Sequence, residues 1–234
     1  MRAIYRREVG AYFHSMIGYV YMAVLLFFNG FYFMAYNLNY GYTHYSYALY
    51  SQVVVLLLAV PILTMRSMAE ERRSRTDQLL LTSPVTLWGI VWGKYLAMVT
   101  VLAVPMVISA LCPMILAMCG TAHLTADYAA LLTFFLLACV FAAVGLFLSS
   151  LTESQVIAAV GTFATLLILY LWDNVADFLP GVLGELAARF SFTAPMDNIV
   201  NYSLFDLGGV VLYLSMAGLF LFLTVQTLQK RRWA

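Results

Sequence analysis

The chain has 234 residues, of which 64% are hydrophobic and only 10% charged, with a mean hydropathy of +0.89. Soluble domains carry roughly 45–50% apolar and about 25% charged residues, so a water-soluble fold is excluded: it would leave too much apolar surface uncovered. The formal net charge of +1 says nothing about a nucleic-acid partner, and none is expected; what matters is where the charges lie.

The predicted fold is all-α and membrane-embedded, a single domain over residues 1–234 with six transmembrane helices of about 20 residues each. Residues 1–15 mix Arg2, Arg6, Arg7 and Glu8 with Ile4, Tyr5, Val9, Tyr12 and Phe13, the pattern of an amphipathic helix lying on a membrane surface. The apolar runs that follow span 17–37, 47–65, 90–118, 128–148, 156–172 and 208–228. The first is too long and too bulky, through Phe27, Phe28, Phe31 and Phe33, for a cleaved signal peptide, and is predicted to be retained. Pro105 and Pro113 predict a kink or break in the third run, and Pro61 a bend in the second.

Between the first two spans lie Tyr36, Tyr40, Tyr42, Tyr45, Tyr47 and Tyr50, an aromatic belt for a membrane interface. An aromatic cage for a sugar or choline is the lesser alternative. After the second span comes the coupling loop, 66–88, with most of the charge: Glu70, Glu71, Arg72, Arg73, Arg75 and Asp77, where Glu71 and Arg75 are spaced for a helical pair. It reads as a short helix pressing on a soluble partner or as a basic interfacial anchor. Leu79 to Leu81 follow, and Ser83 with Pro84 signals the next helix start. The fourth and fifth spans are joined by a short turn in which Glu153 is placed to pair with an arginine of the neighbouring loop. In 173–207, Leu179, Val182, Leu183, Leu186 and Phe190 recur at helical spacing behind Pro180, predicting a short helix dipping into the outer leaflet, with a second near Pro195.

Lysine and arginine stay on the cytoplasmic side. Arg2, Arg6, Arg7, Arg66, Arg72, Arg73, Arg75, Lys94, Lys230, Arg231 and Arg232 all fall on one side of an even number of spans. Arg189 alone lies opposite, with Asp127, Asp173, Asp177, Glu185, Asp197 and Asp206. Both termini are therefore predicted to be cytoplasmic.

The span cores contain almost no ionisable side chains, whereas ion-coupled transporters need buried carboxylates or histidines. His14, His44 and His123 are too scattered for a metal site, and Cys112, Cys119 and Cys139 read as packing thiols. Catalytic, cofactor and metal residues are expected to be absent. The stretch GIVWGKY at 89–95 has one residue too few for a phosphate loop and a Tyr where Ser or Thr should hold magnesium. Energy for transport must then come from another chain.

The segment TMRSMAEERRSRTDQLLLTSPV at 64–85 resembles the loop between the second and third spans of ABC type-2 permeases, particularly the gliding-motility-like subgroup. The basic amphipathic start, SSLTESQ at 149–155, FDLG at 205–208 and KRRW at 230–233 extend the resemblance over nearly the whole chain. It implies a six-span permease, partner of a second permease chain as homodimer or heterodimer, seated on cytosolic ATP-binding-cassette subunits that carry ATP and magnesium. It also implies a coupling helix whose Glu70, Glu71, Arg72, Arg73, Arg75 and Thr76 touch the ATPase, supported by Arg6, Arg7 and Glu153, and re-entrant outer helices in 173–207. Export, a bacterial inner membrane and contact with membrane lipid follow from the same resemblance. The competing expectations are a non-transporting anchor that docks a cytosolic protein, a proton-driven exporter and an intramembrane enzyme.

Overall fold

The computed structural model describes residues 1–74, 76, 86–120, 123–178, 191–202 and 206–233. Among them no strand occurs, and the helices are α1 (Arg2–His14), α2 (Met16–Tyr32), α3 (Ser46–Arg73), α4 (Leu87–Ser109), α5 (Leu111–Cys119), α6 (Leu124–Leu151), α7 (Gln155–Phe178), α8 (Ala194–Tyr202) and α9 (Leu207–Trp233). A π-helical segment, Phe33–Asn39, prolongs α2. Six helical stretches are long and apolar enough to cross a membrane: Met16–Asn39, Ser46–Arg73, Leu87–Met118, Leu124–Leu151, Gln155–Trp172 and Leu207–Arg231.

The third run breaks where expected. Pro113 has no N–H, and its ring crowds the carbonyl of the residue four before it. That residue is Ser109, the last of α4. Pro105 and Pro61 lie inside unbroken helices.

The second span corrects its predicted boundary. Instead of ending at 65 before a separate short helix, α3 runs on through Glu70, Glu71 and Arg72 to Arg73. Arg75 and 77–85 lie outside the described residues, as do 179–190, which hold the predicted outer helix and Arg189. The helix predicted near Pro195 is α8.

Helices α3 and α6 form the centre, with 67% of each apolar window buried against 17% for α7. In lipid, apolar side chains gain little by meeting one another, so helices associate where small residues let backbones approach. The α6 stretch Ala138, Ala142, Ala143 and Gly145 supplies that surface. A Cβ on Gly145 would stand 2.2 Å from Thr64 Oγ1 of α3, so only glycine fits. At the corner between α1 and α2, Ser15 is extended, and a Cβ on Gly18 would meet the Tyr12 carbonyl at 2.5 Å.

Candidate functional site

The basic end of the bundle holds a closed ring of four charges. Lys94 lies about two turns into α4 and is only 1% exposed. Its Nζ donates to Ser67 O at 2.7 Å and pairs with Glu71 Oε2 at 2.9 Å and Glu8 Oε1 at 3.2 Å. Those contacts use all the donors an ammonium has. Arg7 closes the ring, with Nη2 at 2.7 Å from Glu8 Oε1 and a second contact to Glu71 Oε1. Positive and negative charges alternate around it, so no member is buried without an opposite charge.

The ring exists because three helices deliver one piece each. Helix α1 brings Arg7 and Glu8 from successive positions, α3 brings Glu71 near its end, and α4 brings Lys94. Helix α1 is held against α4 by Ile4, 3.1 Å from the place a Cβ on Gly93 would occupy, and by Tyr5. The Tyr5 hydroxyl lies 2.9 Å from Thr100 Oγ1 and donates to it, since Thr100 donates to Leu96 O. The Tyr12 hydroxyl donates to Leu63 O of α3 at 3.4 Å. Burial, then the neighbouring Glu8 charge, raise the Tyr12 phenol above its ordinary pKa, so it stays neutral. Burial works against the Arg7 charge, but hydrogen bonds and attraction from Glu8 and Glu71 outweigh it and hold its pKa above the ordinary value.

Beside the ring is a cleft of about 270 Å³, bordered by Arg7, Tyr12, Ser15, Arg66, Glu71 and Lys94. At its edge Arg66 pairs with Glu70 one turn on, with Nη2 at 3.0 Å from Oε1.

A second junction joins α3 to the end of α6. The last carbonyls of a helix lack intrahelical partners and carry partial negative charge. Here Arg72 Nη1 donates to Leu151 O at 2.7 Å, and Arg231 of α9 donates to Ser150 O at 2.5 Å. Arg72 Nε also meets Glu153 at 3.0 Å, the pairing expected for that carboxylate. About one turn deeper along α3, Ser149 Oγ accepts from the Met68 and Ala69 N–H groups, both at 3.1 Å.

Thus Arg7, Glu71, Arg72 and Glu153 are drawn into two adjoining networks, and Glu70 flanks them. Arg6, Arg73 and Thr76 are exposed. The anticipated Glu71–Arg75 pair lies outside the described residues; the two Glu71 oxygens engage Arg7 and Lys94. Lys94 and Glu8 were not singled out by sequence reasoning. The available signal was an ionisable residue well inside an apolar helix, which calls for a named partner.

The family described as ABC-2 family transporter protein matches residues 20–225. The chain belongs to the ABC-2 transporter family. Comparison with curated proteins gives no match. This ABC-2 permease is a multi-pass membrane protein and the membrane component of a transporter. The matched stretch contains Glu71 and Lys94, whereas Arg7 and Glu8 of the ring precede it. In the permease, therefore, the N-terminal helix completes a charge network rooted in the matched region.

Proposed function

We propose that this ABC-2 permease is the membrane half of an exporter driven by a separate cytosolic ATP-binding-cassette subunit, and that its basic end is the cytoplasmic docking face. The single observation that carries the reading is the Arg7–Glu8–Lys94–Glu71 ring. It makes the end of α3 move together with α1 and α4, while Arg72 ties the same turn to Glu153, just before α7. Force applied by an ATPase to exposed Arg73, Thr76 and Arg6 would thus reach three spans at once. Closing the ATPase pair would shift α3 and α7 and change which side of a permease dimer is open. The one-sided distribution of Lys and Arg supports a cytoplasmic basic end. Apolar faces left open on α2 and α7, including Phe27, Phe31, Val156 and Val160, suit lipid and a second permease chain. An apolar, aromatic cavity wall would favour a lipid-like or hydrophobic peptide cargo. ATP and magnesium belong to the partner in this reading.

The test is to purify the tagged permease from its host in mild detergent, identify what co-purifies, and compare Arg73→Glu with wild type. A stoichiometric ATPase is expected, with Arg73→Glu weakening its retention while the permease's melting temperature stays unchanged. A preparation that carries a cytosolic protein without ATPase activity would support an anchor instead.

A further inference from the structure

At the end of α2 away from the charge ring, Phe31, Tyr32, Ala35, Tyr36, Tyr40 and Tyr42 enclose a cleft of about 340 Å³. Tyr32, Tyr36 and Tyr40 recur every fourth residue. The π-helical segment makes that spacing productive, because bonds reaching five residues back, as from Tyr40 N–H to Ala35 O at 3.1 Å, widen the turn and keep residues four apart on one face. Gly41, at φ +71°, then reverses the chain, and Asn37 Nδ2 fixes the return by donating to Tyr42 O at 2.9 Å and His44 O at 3.0 Å. Tyr36 thereby becomes the hub of the wall. Its ring centroid lies 6.2 Å from that of Tyr32, 6.4 Å from Tyr40 and 6.1 Å from Tyr42, with planes inclined by 34°, 42° and 51°. Tyr47 backs Tyr42 at 4.8 Å.

Rings inclined in this way make a curved wall rather than a flat stack. Each ring face carries partial negative charge and attracts a cation within about 6 Å of its centroid. The lining has no lysine or arginine to receive an anion and no carboxylate to demand a metal. Its tyrosines also carry hydroxyls that can donate to a phosphate. A second cleft, of about 610 Å³, shares Phe31, Ala35 and Tyr40 with the first and continues over Met34, Leu38 and Asn39. Phe31, Met34 and Leu38 are exposed there on a span that runs through the bilayer. An aromatic pocket at the end of a span, opening onto an apolar track along it, has the two-part chemistry of an amphiphile: a cationic head and a hydrocarbon tail.

We infer that these joined clefts bind a phospholipid with an ammonium headgroup, its nitrogen among Tyr32, Tyr36, Tyr40 and Tyr42 and an acyl chain along Phe31, Met34 and Leu38. The test titrates the whole permease, purified in detergent and stripped of lipid, with phosphatidylethanolamine or phosphatidylglycerol of the same acyl chains, and counts bound lipid by native mass spectrometry. Phosphatidylethanolamine should bind about fivefold more tightly, the size of one cation–π contact. Tyr36→Leu should abolish the preference and Tyr36→Phe, which keeps the ring, should retain it. Tyr40→Leu with Tyr42→Leu, both at exposed positions, should abolish it as well and serves should Tyr36→Leu fail to fold. Tyr19→Leu, an exposed tyrosine near the other end of α2, should leave it unchanged. Glycerophosphoethanolamine, the same headgroup without chains, should fail to compete at equal concentration. Equal binding of the two lipids, a preference that survives loss of the Tyr40 and Tyr42 rings or falls equally in Tyr19→Leu, or full competition by the chainless headgroup would overturn the lipid site. Neither ATPase nor cargo enters the measurement, so its failure would leave the docking proposal standing.

Discussion

Lys94 is held at the end of a flexible stem whose charge would be costly to bury alone. Its surroundings make burial tolerable: two carboxylates and one carbonyl take its hydrogen bonds, and Arg7 balances the second negative charge. Removing one member of a buried ionic group leaves the others uncompensated and typically costs about 3–5 kcal/mol, although exchanging the whole group for apolar residues can be neutral. Lys94→Ala is accordingly expected to destabilise the permease by about 3–5 kcal/mol, and Lys94→Met combined with Glu71→Gln by distinctly less than the sum of the single changes. Denaturant titration of the detergent-solubilised protein checks both, and simple additivity would argue against the ring as a unit. Arg66 with Glu70 is a half-exposed pair one turn apart, and its loss should cost no more than about 0.5 kcal/mol.

Among the elements, α3 and α6 decide how the bundle packs. Their contact depends on Gly145 facing Thr64, and at the basic end on Ser149 reaching the Met68 and Ala69 N–H groups. Gly145→Val would drive the helices apart by more than the side chain of Thr64 can yield, since a Cβ would already lie 2.7 Å from Thr64 Cβ. Overpacking of this kind costs about 1–3 kcal/mol, so a lowered melting temperature is expected. Gly161, with nothing within 4 Å of a Cβ, should accept Ala with little change. The boundary of α3 carries the principal correction to the sequence reading. Charge density at Glu70 to Arg73 marks the end of the apolar run, but a helix stops only where its hydrogen-bond ladder does. Here the ladder continues to Arg73, and Glu71 and Arg72 meet opposite charges on neighbouring elements.

For the whole molecule, orientation is the property on which docking depends. Cysteines introduced at Arg73 and at Tyr40, both exposed and at opposite ends of the bundle, should be labelled by an impermeant maleimide from opposite sides of the membrane. Labelling of Tyr40→Cys from outside intact cells and of Arg73→Cys only after permeabilisation is expected. The reverse pattern would remove the cytoplasmic docking face. With the basic end inside, the ring would sit at the inner end of the bundle and the tyrosine cleft at the outer end of α2.

Membrane embedding, the six spans and the segregation of charge were determined by the sequence alone, because apolar run length and Lys and Arg placement act locally and need no knowledge of neighbours. The break at Pro113 belongs with them, since a missing N–H is a property of one residue. That Glu153 would pair with an arginine of the neighbouring loop was also legible, because a lone carboxylate in a short turn has few places to go; that the arginine is Arg72 was decided by the packing. The ring was not. Glu8 read as one charge of an amphipathic helix and Lys94 as a flanking cation, and only the crossing of α1 over α4 beside the extended end of α3 brought them together. His44 and His123 likewise looked scattered along the chain, yet each immediately precedes a helix, and parallel packing of those helix starts made them neighbours. Partners distant in sequence are chosen by helix packing, which depends on shape complementarity across the whole bundle rather than on any local pattern.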